Sequence, residues 1–445
     1  DTGSVVQMIS GEGPNSVLCG FSITGAVDAE LGGGVYVNSV AGPRIIACNI
    51  SNNTATYGGG GIFVQGSADI VDCGFTGNVA GAGGGAFYGL GGHATISGCD
   101  MFNNDAPQGS SIRLEAFQLT IENSELYDNI HYEDVPADAP LAAAESAVGL
   151  RIRHSTLYAV NFTALYTNVV IDSSKMYNTA ITQCCGWGHE LTMTGDTLLS
   201  CILDLYDNTT ANLTDCWFSL GYLFSSGSTA ILDRVVFDGS IFLDWNANLP
   251  YLRAENSTIR GSGIEMMREV SQFDSAAVDL VECIVVTEGD PIYAGSGSLR
   301  LTCTDLYGFT GEDWYDSPNM ELDTSSVFFK DPRFCGPING VATLQSNSPC
   351  LPENNECGVL IGALDVGCSC CEVSGDYNHN GYFELLDLDE LLTWLFRDGA
   401  DAFCMDEADV DYYAGVNILD LEWMARYLFE DGMPPAPCEL SLIHI

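Results

Sequence analysis

Residues 18–23 (LCGFSI), 45–50 (IIACNI), 70–75 (IVDCGF) and 96–101 (ISGCDM) are four versions of one segment, and they decide the fold. Nine more follow: 121–126 IENSEL, 152–157 IRHSTL, 171–176 IDSSKM, 193–198 MTGDTL, 213–218 LTDCWF, 232–237 LDRVVF, 254–259 AENSTI, 280–285 LVECIV and 301–306 LTCTDL. The fourth residue of each serves as a reference: Phe21, Cys48, Cys73, Cys99, Ser124, Ser155, Ser174, Asp196, Cys216, Val235, Ser257, Cys283 and Thr304. Three positions before it and two after it stand apolar side chains in all 13 copies, and the references step from 21 to 304 at a mean close to 24 residues. Two inward columns separated by polar and glycine positions describe short strands that bury one face while the chain repeatedly turns a corner. With no helical period inside the repeat, a coil of this length predicts a right-handed parallel β-helix whose rungs stack about 4.8 Å apart.

Other columns agree. Asn53, Asn78, Asn104 and Asn129 fall five positions after four successive references, as an asparagine ladder at a turn would. Asparagine tolerates left-handed backbone, and stacked amides satisfy one another. The glycine strings from Gly32, Gly58 and Gly83 precede apolar strand segments without a P-loop lysine, so they read as tight corners rather than phosphate loops. Cys48, Cys73 and Cys99, continued by serines, read as a stack of small buried side chains rather than a metal site.

Composition excludes several classes. The 445 residues carry 60 acids against 14 Lys and Arg, a net charge of −46. Phosphate binding needs clustered cations, so nucleic acid is not an expected partner. No apolar run reaches the roughly 18 residues of a membrane span. Eighteen cysteines without a redox CxxC pattern point to an oxidising, extracellular or cell-surface location. Their pairing stays open. Asp1 is not a start residue and no signal peptide is visible, so the chain reads as an internal fragment with its export signal upstream. Residues 440–445 (LSLIHI) match what the transposon end of a sequencing adapter encodes and carry no expectation of function.

The chain's end changes character. DYNHNGYFELLD places Asp376, Asn378 and Asn380 at positions 1, 3 and 5 of a calcium loop, Gly381 at the turn, the Tyr382 carbonyl at position 7 and Asp387 at position 12. DVDYYAGVNILD repeats this 33 residues later with Asp409, Asp411, the Gly415 carbonyl, Asn417 and Asp420, but with Tyr413 and Ala414 in place of the fifth-position ligand and the turn glycine. The second loop therefore reads as the weaker site. Each loop precedes a helical segment, LDLDELLTWLFRDG and LDLEWMARYLFEDG, identical at 7 of 14 positions. Leu388, Leu391, Leu395 and Leu428 read as the core of that unit.

This duplicated loop–helix unit resembles the type I dockerin family, calcium-dependent modules that attach secreted bacterial proteins to cohesin partners or a cell-surface scaffold. The resemblance implies one calcium per loop. It also implies a cohesin-facing surface at Leu385, Leu386, Leu388 and Asp389 and, in the second copy, at Ile418, Leu419, Leu421 and Glu422. The body resembles the pectin-lyase-like superfamily of β-helix proteins, and the segment around Cys335, Cys350, Cys357 and Cys368 resembles the stapled closing segment of secreted repeat proteins. The expected organisation is a β-helix over 1–330, a Cys-rich closing segment over 331–371 and a small all-α dockerin-like domain over 372–439.

In lyases of that superfamily, carboxylates hold calcium on a uronate and an Arg or Lys removes a proton. The best such constellation here is Glu122, Arg153 and Asp172 on successive coils, with Arg151 and His154 beside them. Alternating charges paired across parallel strands are the preferred account of it, and Arg253, Asp279 and Arg300 support that account by repeating the pattern. Phe102, Tyr127, Tyr158 and Tyr177 form an outward aromatic column whose first reading is mutual stacking of rings. It also offers a flat strip for sugar rings, and because the long insertion HYEDVPADAPLAAAES borders it, any polysaccharide groove is expected there. The preferred reading is a secreted, non-catalytic glycan-binding or structural component carried on a calcium-dependent module. The alternative is a polysaccharide lyase or glycoside hydrolase acting on acidic polysaccharide, attached by the same tail.

Overall fold

A computed structural model describes residues 3–107, 111–127, 142–145, 149–158, 161–165, 168–184, 189–244, 250–266, 276–287, 292–294, 297–308, 326–335, 342–397, 402, 404–411, 416–430, 432–435 and 438. The strands wind as a parallel β-solenoid of about 11 turns, and one ladder of 13 parallel strands runs along it from Val17–Cys19 to Gly297–Thr302. Its register couples the first predicted column rung by rung. Leu18 pairs with Ile45, Ile45 with Ile70 and Ile70 with Ile96, and the sequence of partners continues to Leu280 and Leu301. The second column does the same from Ile23↔Ile50 to Val285↔Leu306. Both columns feed one continuous apolar core, against which Val6, Met8, Leu18 and Val327 pack at the ends.

The corner between the two columns repeats as a backbone conformation. The residue before each reference has positive φ in every copy, from Gly20 (78°), Ala47 (51°) and Asp72 (53°) to Glu282 (55°) and Cys303 (48°). Left-handed backbone costs an L-residue about 1–2 kcal/mol, and the references offset this with hydrogen bonds. Cys73 Sγ accepts from the Cys48 N–H, Ser124 Oγ from the Cys99 N–H, Ser155 Oγ from the Ser124 N–H and Asp196 Oδ1 from the Ser174 N–H. The same hydroxyls donate back to carbonyls two residues earlier, as Ser124 does to Glu122 at 2.8 Å. Cys48, Cys73 and Cys99 are thus free thiols occupied in a corner network.

The asparagine ladder is present at a second corner. Asn53 Nδ2 donates to Asn78 Oδ1 at 3.1 Å and Asn78 Nδ2 to Asn104 Oδ1 at 3.0 Å, with all three side chains fully buried. Asn129 lies outside the described residues. At the glycine strings, Gly32, Gly59 and Gly84 turn with φ of 60° to 67°, and a Cβ on Gly60 would stand 2.5 Å from the Val79 carbonyl oxygen. One expectation is corrected here. The alanines at the end of the long insertion are not loop: Ala142–Glu145 is a regular rung, paired with Ile112–Glu115 and Phe162–Leu165. Residues 131–141 and 146 lie outside the described residues.

The closing segment returns along the outside of the last coils, where Leu344, Cys350, Leu351 and Ile361 pack on Ile284 and Val286. Cys303–Cys357 fixes it to the solenoid and Cys335–Cys368 closes it on itself. Cys350, expected among the staples, is instead a free buried thiol 3.2 Å from Asp305 Oδ2. Two further disulfides, Cys370–Cys404 and Cys371–Cys438, hold the tail. Among its described residues the tail contains three helices, α1 (Leu385–Arg397), α2 (Met405–Ala408) and α3 (Ile418–Phe429). They enclose a small core of Tyr377, Leu391, Ala408, Val410 and Met424 with Leu388 and Leu395 against it, while Leu428 is half-buried. No helix among the described residues is long and apolar enough to cross a membrane.

Candidate metal centre in the C-terminal loops

The two predicted loops share a pair of backbone bonds to their closing Asp. Asp376 is 1% exposed, and its carboxylate accepts from the N–H groups of Asn380 at 3.0 Å and Gly381 at 2.6 Å, wrapping the chain around it. Gly381 makes the turn at a φ of 89°. Asp387, fully buried on the first turn of α1, accepts from the Asn378 N–H at 3.2 Å and the Glu384 N–H at 2.7 Å. These are positions 3 and 9 of the loop, closed by position 12. The second loop repeats those two bonds. Asp420 accepts from the Asp411 N–H at 3.3 Å and the Asn417 N–H at 2.8 Å, the latter within the capping box that starts α3.

The donor set suits a hard cation. Carboxylate oxygens of Asp409, Asp411 and Asp420 lie within 4.8 Å of one another. In the first loop, both side-chain polar atoms of Asn378 are buried without a hydrogen-bond partner, which a calcium ion at the loop centre would supply through Oδ1. Burial pushes the Asp387 carboxyl up, and the neighbouring Asp376 charge adds to this against the hydrogen bonds from Glu384 and Asn378. Burial does the same at Asp420, where Asp411 is the adjacent charge. Asn380 is exposed, with Oδ1 accepting from the Tyr382 N–H, and the Tyr382 ring is 74% exposed, leaving its carbonyl as the predicted contributor. Gly415, Tyr413 and Ala414 lie outside the described residues.

At positions 10 and 11 of each loop, just before its closing Asp, the structure exposes an apolar pair, Leu385 (58%) and Leu386 (49%) in one copy and Ile418 (56%) and Leu419 (50%) in the other. Leu388 and Leu421 of the same expected surface turn inward against the tail core, whereas Asp389 and Glu422 stay exposed. A third feature escaped the sequence reading. Glu407 on α2 is fully buried, and it reaches the first loop. Its signal was an asymmetry between the copies: two positions before the loop stands Glu407 in one and Ser374 in the other.

On the solenoid, Glu122, Arg153 and Asp172 are rung neighbours in register. Arg153 stands between the two acids at 3.9 Å from each, at a half-exposed surface. Arg151 is one row over, in register with Thr120 and Val170. Arg253 pairs likewise with Asp279 at 3.0 Å. The outward aromatics form two stacked pairs, Phe102 with Tyr127 (centroids 5.1 Å, 7° apart) and Tyr158 with Tyr177 (4.6 Å, 10°). No protein-family model matches this chain, and no curated protein or solved structure is detectably similar to it.

Proposed function

We propose that this chain is an extracellular, pectin-lyase-like β-helix protein that attaches to a cohesin-like partner or cell-surface scaffold through a calcium-ordered, dockerin-like tail. The observation that carries the reading is the duplicated loop geometry: two loops with the same backbone bonds to a buried closing Asp, each with an exposed apolar pair just before that Asp. Calcium, when bound, supplies the positive charge that the converging carboxylates lack. Asp376, Asn378, Asn380, Asp387 and the Tyr382 carbonyl would hold one ion, and Asp409, Asp411, Asp420 and the Gly415 carbonyl the other. The residues themselves then hold the first turns of α1 and α3 in place, so that Leu385, Leu386, Ile418 and Leu419 form one apolar docking face.

The solenoid is read as a non-catalytic, glycan-binding or structural element. Supporting this, Arg153 is flanked by two acids rather than open to a substrate carboxylate. The four aromatics supply a strip on which sugar rings can stack. Calorimetric titration with calcium should show two ions per chain, the first loop binding tighter, and incubation with pectin or alginate should release no unsaturated uronate. Absence of calcium heat overturns the attachment reading, and uronate release overturns the non-catalytic one.

A further inference from the structure

Helix α2 lies between the two loops and is bonded to both sides of it. The Glu407 carboxylate accepts from the Glu372 N–H at 2.7 Å and the Val373 N–H at 3.1 Å, at the approach to the first loop. Its other oxygen stands 2.8 Å from His379 Nδ1, and the Glu407 carbonyl accepts from the Gly375 N–H at 2.7 Å. His379 is position 4 of the first loop, between Asn378 and Asn380, and holds left-handed backbone at a φ of 56°. Two residues beyond Glu407 the chain reaches Asp409, whose N–H still donates to the Met405 carbonyl at 3.1 Å. One side chain therefore grips the first loop, and its own helix delivers the first ligand of the second.

We infer that Glu407, through His379 and the backbone of 372–375, couples the two loops so that calcium binding at one strengthens binding at the other. This rests on the calcium reading proposed above. The physical cause is shared ordering: an ion in the first loop immobilises the backbone that Glu407 holds, which fixes α2 and leaves less freedom to be lost when the second loop closes on its ion. The converse holds for an ion in the second loop. Separate ties keep α2 in place without Glu407. The Cys370–Cys404 disulfide precedes it, and Asp406 accepts from the hydroxyls of Ser346 and Ser369 at 2.6 Å each. Removing the carboxylate thus tests the coupling without releasing the helix.

The experiment is calorimetric titration of the full chain with calcium alone, for the parent, Asp376→Ala and Asp409→Ala, and for each of these in Glu407→Ala and His379→Ala backgrounds. Silencing the first loop should weaken the second about tenfold, and silencing the second should weaken the first by the same factor, because coupling between sites is reciprocal. In the Glu407→Ala background the factors should fall to about one, and in His379→Ala, which keeps the Glu407 bonds to Glu372 and Val373, they should fall part of the way. Hydrogen exchange of the Gly381 amide under saturating calcium should match the parent in Glu407→Ala, showing that the first loop still folds. If both loops bind calcium in the parent with a factor of one, or if the factor survives in Glu407→Ala, the coupling is overturned while the calcium reading stands. No calcium heat at either loop overturns both.

Discussion

Replacing Asp196 with Ser should stabilise the solenoid at alkaline pH and flatten its dependence on pH. Asp196 occupies the corner column that most other coils fill with Cys, Ser or Thr, Phe21 and Val235 being the exceptions, and it is 1% exposed. It accepts from the Ser174 N–H at 2.7 Å and the Thr194 N–H at 3.0 Å. Burial outweighs those bonds, the Asp172 charge adds to it, and the carboxyl is pushed up from 3.8 to about 7. A folded-state value above the unfolded one means that the folded chain binds the extra proton, so the contribution is fully present below pH 4 and is lost as pH rises through about 7. At about 1.4 kcal/mol per pH unit, ionisation of this group withdraws about 4 kcal/mol between pH 4 and pH 8. A serine keeps the N–H acceptor and can donate to the Thr194 carbonyl, as Ser174 does to Asp172 at 3.1 Å. Denaturant midpoints of parent and Asp196→Ser, measured with saturating calcium at pH 4.5, 6 and 8, should lie closest at the lowest pH, within about 1 kcal/mol. They should diverge in favour of the variant by about 3–4 kcal/mol at the highest. Parallel slopes against pH, or a variant less stable than its parent at pH 8, would refute the assignment. Asp305, buried beside Cys350 and also raised to about 7, contributes the same trend in both proteins and cancels in the comparison.

Two further outcomes bear on the solenoid. Asn78→Ala removes the middle of a buried ladder, taking the Asn78 Oδ1 acceptor from the Asn53 backbone N–H and the Asn78 amide donor from the Ile50 carbonyl, and should cost about 2–4 kcal/mol by chemical denaturation. A loss below 0.5 kcal/mol would mean, on the same scale of roughly 1–3 kcal/mol per unmatched group, that the ladder does not hold the corner. Arg153→Ala breaks two loose, half-exposed ion pairs at 3.9 Å and should shift stability by less than about 1 kcal/mol. It should also leave any action on uronate polymers as it is in the parent, and a selective loss of such activity would restore the trio as a catalytic candidate.

Much of the solenoid was legible because its repeat is written in several residue types at once. The inward positions from Leu18 to Leu301 and from Ile23 to Leu306 pair in the expected register because a parallel ladder keeps side-chain direction fixed from rung to rung. The left-handed residue before each reference was less visible, since Ala47, His154, Arg234 and Glu282 share that conformation with glycine and asparagine. After Ala47, His154 and Glu282 the signal lies in the next residue, a small Cys or Ser in the corner column, whereas Arg234 is followed by Val235 and carries no such signal. The cysteines illustrate the same limit. Compartment was inferred from their number, yet among the described residues the disulfides gather at the closing segment and tail, and Cys48, Cys73, Cys99, Cys201, Cys216 and Cys283 serve as small buried side chains.

The sequence by itself determined the parallel solenoid, its ladder of asparagines and the two loops, because each is a periodic or fixed-spacing pattern that local backbone geometry enforces. Tertiary structure alone decided which cysteines join, that Cys350 stays free beside Asp305, that Ala142–Glu145 forms a rung, and that Glu407 reaches His379. Those are contacts between segments far apart in the chain, with no period to announce them. They depend on where the closing segment and helix α2 come to rest once the solenoid and the tail core have packed.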